Sequence, residues 1–64
     1  MKVKTLLKAM MYPVDVVDMY TDTFQFVANM TIEDFQRDYA EDRISQFNIT
    51  ETDDGVQVLE VVMK

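Results

Sequence analysis

The chain of 64 residues has no cysteine, no histidine, one glycine and one proline. Without cysteine there is neither a disulfide nor a thiolate metal site. Without histidine the commonest general base and the commonest transition-metal ligand are both missing. Gly55 is the only glycine, so no glycine-rich phosphate loop exists. Ser45 is the only serine and has no imidazole partner, which excludes triad chemistry. Apolar runs are short, so nothing spans a membrane. Six basic residues stand against twelve acidic ones, for a net charge of −6. Lys2, Lys4, Lys8 and Lys64 lie at the two ends, and only Arg37 and Arg43 interrupt the acidic body from Asp15 to Glu60. Direct nucleic-acid binding is excluded, because phosphate contacts need clustered Lys and Arg.

At 48% hydrophobic the composition is too apolar for a disordered segment. A chain this short buries only about 60% of its unfolded surface, so a single marginal core is expected. One domain over residues 1–64 follows. The opening Met1-Lys2-Val3-Lys4 is basic, but Lys8 breaks the apolar stretch behind it and no small-residue cleavage site follows. No signal peptide is read, and a cytoplasmic location is expected.

The pattern helix, strand, strand occurs twice. In the first half Thr5 is placed to cap a helix whose apolar positions are Leu6, Leu7, Met10 and Met11, ended by Tyr12-Pro13. Val14 to Tyr20 reads as a strand whose alternation slips at Val16-Val17, the mark of a bulge. Tyr20 to Thr23 is a turn without glycine. Phe24, Phe26, Ala28 and Met30 then alternate with polar positions and Val27 as a half-buried strand.

The second half is clearer. Thr31 is an N-cap with Asp34 three positions on, and Met30 and Phe35 are placed as a hydrophobic staple. Ile32, Phe35 and Tyr39 share the core-facing side of a helix over 31–40. Ile44 to Thr50 and Val56 to Met63 form a hairpin around Asp54-Gly55, a turn that needs positive φ. From Val58 onward both faces of the last strand are apolar except at Glu60. That suits a central strand, or one whose second face another subunit covers. The expected fold is α+β, order α-β-β-α-β-β, an antiparallel sheet with the helices on one face.

No catalytic constellation emerges. A glycosidase-type carboxylate pair needs a cleft between two groups about 5–10 Å apart, and short loops offer none. An EF-hand register with Gly55 sixth puts Thr50 and Thr52 at the first and third ligand positions, so it fails. No enzyme, cofactor or metal is expected. Two surfaces remain as candidate partner-binding sites. One is the acidic group Glu33, Asp34, Asp38, Glu41 and Asp42 in and after the second helix. The other is Met10, Met11 and Tyr12, because methionine is frequent at adaptable binding surfaces. Small size and surplus apolar surface also point to a homodimer.

The opening Met1-Lys2-Val3-Lys4-Thr5-Leu6-Leu7-Lys8, the middle Thr31-Ile32-Glu33-Asp34-Phe35 and the end Asp54-Gly55-Val56-Gln57-Val58-Leu59-Glu60-Val61 resemble small proteins of bacteriophages and mobile elements in gram-positive and gut bacteria. Such proteins include anti-CRISPR and other anti-defence inhibitors, some of which resemble nucleic acid in charge. The resemblance implies a class of function only and carries over no functional residue; Met10-Met11-Tyr12-Pro13 departs from the acidic turn expected there. The function it implies is a non-enzymatic, phage-encoded module that blocks a host protein, such as a nucleic-acid-binding one. It would act in the bacterial cytoplasm, by steric block or by acidic mimicry. The alternative is a structural or accessory homodimer.

Overall fold

The computed structural model describes residues 1–11 and 13–64. Its elements are α1 (Val3–Ala9), β1 (Val16–Tyr20), β2 (Phe26–Thr31), α2 (Ile32–Tyr39), β3 (Ile44–Glu51) and β4 (Gln57–Met63). The α-β-β-α-β-β order is the expected one. The sheet runs β2-β1-β4-β3, so β4 is a central strand, as its two apolar faces require.

The sheet is mixed. β1 pairs antiparallel with β2, β3 pairs antiparallel with β4, and the two central strands β1 and β4 are parallel. Two hairpins are thus joined side by side. The chain passes from the outer strand of one to the outer strand of the other through α2, which packs on β1 and β2. The crossover through α2 starts at the Thr31 cap. The Thr31 hydroxyl accepts from the Asp34 amide at 3.1 Å. That satisfies one of the free donors of the first turn and starts the helix directly at the end of β2.

Both helices cover one face. Phe35 from α2 and Val3 and Leu6 from α1 are buried with Val17 and Met19 of β1, Ile44 of β3, and Leu59 and Val61 of β4. Ile32 and Tyr39 pack against this core, on the side expected for them. Val58 and Val62 point to the other face, yet are only 6% and 9% exposed within the single chain.

Three expectations from sequence need correction. First, α1 starts two residues before Thr5 and ends before Met10. Among the described residues no side chain caps it. Instead the Val3 amide donates to the Asp42 carbonyl at 2.8 Å and the Lys4 amide to the Ala40 carbonyl at 3.0 Å. The turn after α2 satisfies donors that a cap would serve. Met11, expected on the helix face with Leu6, Leu7 and Met10, lies beyond the helix and is 96% exposed.

Second, the bulge in the first hairpin lies at Met19/Tyr20, not at Val16-Val17. Third, Ala28 and Met30 face the helices, opposite Met19 and Val17, but the extra residue on β2 breaks the phase before them. Phe26 pairs with Tyr20, and Phe24 lies in the turn; they are 58% and 64% exposed.

No helix among the described residues is long and apolar enough to cross a membrane. Leu59 and Val61 are fully buried at the centre of the core. Leu59→Ala is expected to remove about 2–5 kcal/mol, against a total of roughly 3–10 kcal/mol for a domain this long. Val61→Asp buries an unpaired charge and should leave no cooperative urea transition. A wild-type transition in either variant would contradict the central placement of β4.

Candidate protein-binding surface

Of the residues singled out from sequence, the acidic group does come together on and after α2, but much of its charge is answered within the chain. Arg37 lies between two of its members. It pairs with Asp34 at 3.0 Å and with Asp38 at 2.9 Å. Glu41 is held by Lys4 at 2.8 Å and Lys2 at 3.2 Å. Hydrogen bonds from Lys4 and then Lys2 hold the Glu41 carboxyl below the usual glutamate range. The Arg37 hydrogen bond lowers Asp38 in the same way. Glu33 and Asp42 are exposed. The basic N-terminal segment therefore screens part of the acidic group, at the turn after α2.

The second candidate group divides. Met10 is half-buried against the core and Met11 is open to solvent. Tyr12 lies outside the described residues.

The more distinctive surface is the sheet face away from the helices. The strand register arranges it in three rows. The first is Thr31, Val16, Val58 and Thr50; the second is Asn29, Asp18, Glu60 and Asn48; the third is Phe26, Tyr20, Val62 and Gln46. One end is apolar and aromatic, with Tyr20 and Phe26 in edge-to-face contact at 5.7 Å. The middle row carries two carboxylates on neighbouring strands. Asn29 donates to Asp18 at 2.6 Å. A shallow cavity of about 290 Å³ opens at the aromatic end between Tyr20, Phe24, Asn48, Glu60 and Val62.

Phe24 stands out because of its backbone. The two hairpins turn through the same loop. Thr52 donates to and accepts around Asp53-Asp54-Gly55: its amide bonds the Val56 carbonyl at 2.9 Å, and its carbonyl accepts from Gly55 at 3.0 Å. In the first hairpin the Thr21 amide bonds the Gln25 carbonyl at 2.8 Å, and the Thr21 carbonyl accepts from Phe24 at 2.9 Å. Both threonine hydroxyls accept the amide that closes the loop, from Gln25 at 3.2 Å and Val56 at 3.0 Å. This three-residue loop ends in the left-handed region. Gly55 fills that position at φ 86°, and Phe24 fills it at φ 65°. An L-residue pays about 1–2 kcal/mol for that conformation. Here the strained residue is a large aromatic held out in solvent.

Sequence reasoning missed this surface, since it treated Phe24 and Phe26 as part of a half-buried alternation. The available signal was the match of Thr21-Asp22 to Thr52-Asp53, with phenylalanine where the second loop has glycine.

The Glu41 contacts have a pH consequence. A carboxyl lowered in the folded state stabilises the fold above its unfolded pKa, and that stability is lost as pH falls through the folded value. Acidification through and below the ordinary glutamate range, about pH 4.3, should therefore weaken the docking of α1. Glu41→Gln is expected to flatten that part of a melting-temperature profile, and high salt to blunt the difference. Identical pH profiles for the two proteins would show that the ion pairs carry no stability. The chain matches no protein-family model, no curated protein and no solved structure.

Proposed function

We propose that this protein is a non-enzymatic protein-binding module whose contact surface is the open sheet face at its aromatic end. The observation that carries the reading is Phe24, exposed and in the left-handed conformation at a position that the twin loop gives to glycine. Strain of this kind at an exposed side chain is retained where the side chain has work outside the fold. Tyr20 and Phe26 extend the aromatic surface, and the cavity beside them accepts one apolar side chain. Asp18 and Glu60 in the adjoining row favour a partner that brings arginine or lysine next to its apolar anchor.

Such a module blocks its target sterically. This is the mode expected of the phage-type inhibitors that the chain resembles, with a host protein as the target. Acidic mimicry by the group in and after α2 is the weaker form of the reading, because Arg37, Lys2 and Lys4 already pair with three of its carboxylates.

Phe24 gives a test that separates function from stability. Phe24→Gly relieves the backbone strain and should raise stability by roughly 0.5–1 kcal/mol, after the entropy that glycine adds to the unfolded chain. The same change should remove most of the binding to proteins recovered with the wild type from a bacterial host. A matched change at the exposed Met11, Met11→Ala, should leave recovery intact. Full recovery by Phe24→Gly would refute the open face as the contact surface. A stability loss in place of a gain would refute the strain argument.

A further inference from the structure

A second surface, independent of the open face, is the outer edge of β3. Its hydrogen-bonding phase follows from the hairpin. Thr52 bonds across to Val56, and alternation turns Thr50 and Asn48 inward to β4 as well. The N–H and C=O groups of Phe47, Ile49 and Glu51 therefore point outward, where the described residues place no neighbouring strand. The other end of the same edge is closed. Past the bulge at Ser45, the Ile44 amide donates to the Met1 carbonyl at 2.7 Å, and Lys2 bridges Arg43. Free edges are usually blunted by lysine, proline or an inward charge. The open stretch 47–51 has neither lysine nor proline, its one charge is Glu51 at the hairpin end, and Phe47 within it is 45% exposed.

Charge selects the occupant. Around the closed end stand Lys2, Lys4, Arg43 and Lys64 against Glu41, Asp42 and Asp22, four positive charges to three negative. Around the hairpin end stand Glu51, Asp53 and Asp54, with no basic residue between 44 and 63. The edge thus runs from a positive to a negative end. An antiparallel copy of the same edge sets each end against its complement, twice. The β2 edge lacks this property: Asp22 precedes it and Glu33 and Asp34 follow it, so self-pairing there opposes like charges.

We infer that the β3 edge pairs with the β3 edge of a second copy of this chain, antiparallel about a two-fold axis at Ile49, to give a continuous eight-stranded sheet. Ile49 meets Ile49 of the partner subunit, and Phe47 meets Glu51 of the partner subunit. This register uses all three free residues and stops short of Met1. It makes up to about six backbone hydrogen bonds. In the same register Asp53 of the partner subunit falls opposite Ser45, two positions from Arg43. Ile49 lies on the helix side with Leu59 and packs against the core, so the two copies bring their isoleucines together at the axis. The open faces of both copies stay free.

Sedimentation equilibrium on the full chain, from micromolar to millimolar concentration, tests the pairing. The mass should rise from 7.5 kDa to twice that value. Ile49→Pro should hold the chain at monomer mass while it stays folded by circular dichroism, because the lost N–H faces away from β4. Arg43→Glu should weaken the dimer by about tenfold, and the double change Arg43→Glu with Asp53→Arg should restore it. That rescue decides the matter even if the proline variant fails to fold. Monomer mass at every concentration would overturn the inference. So would a dimer untouched by Ile49→Pro and Arg43→Glu, which would place the contact elsewhere.

Discussion

The parallel contact between β1 and β4 holds the rest of the molecule together. Each belongs to its own hairpin, and neither hairpin alone buries a face. A single two-stranded hairpin is marginal in water. Joined at β1 and β4, the two bring Val17, Met19, Leu59 and Val61 onto one surface, and Phe35 closes it from α2. The remaining features serve this contact. The Thr31 cap starts the crossover helix on time, and the carbonyls of Ala40 and Asp42 dock α1 as the last piece of the lid.

The two hairpins share a loop and diverge in what they do with it. In the second, Gly55 takes the left-handed position without cost, and the turn serves only to reverse the chain. In the first, Phe24 takes the same position under strain and joins Tyr20 and Phe26 at one end of the uncovered sheet face. An internal repeat thus yields one hairpin tuned for folding and one carrying an exposed aromatic group. The same asymmetry appears in the sheet. The face toward the helices is apolar except at Glu51 and Gln57 beside the hairpin turn, while the open face mixes small buried valines with a polar row centred on Asp18 and Glu60.

Charge follows a comparable division. The acidic excess is a property of the whole chain, but its distribution is set by contacts between distant segments. Lys2 and Lys4 meet Glu41 across 39 and 37 residues. An acidic helix read in isolation becomes, in the folded protein, a helix flanked by its own counter-charges.

The second half of the chain was legible because its signals are local. Thr31, Asp34, Met30 and Phe35 lie within six positions and specify the start of α2, and Asp54-Gly55 specifies a turn by the φ it needs. The apolar run of β4 foretold a central strand. What local signals do not carry, only the tertiary structure decided. Helix α1 starts at Val3 because carbonyls 36 and 39 residues away accept its first amides. Phe24 and Phe26 leave the core because one extra residue opposite Tyr20 shifts the strand phase, a choice made by pairing and not by propensity. The parallel join of β1 and β4, and with it the identity of the open face and the free edge, depends on contacts 42 residues apart in sequence. Periodicity reports which residues share a face; it does not report which faces meet.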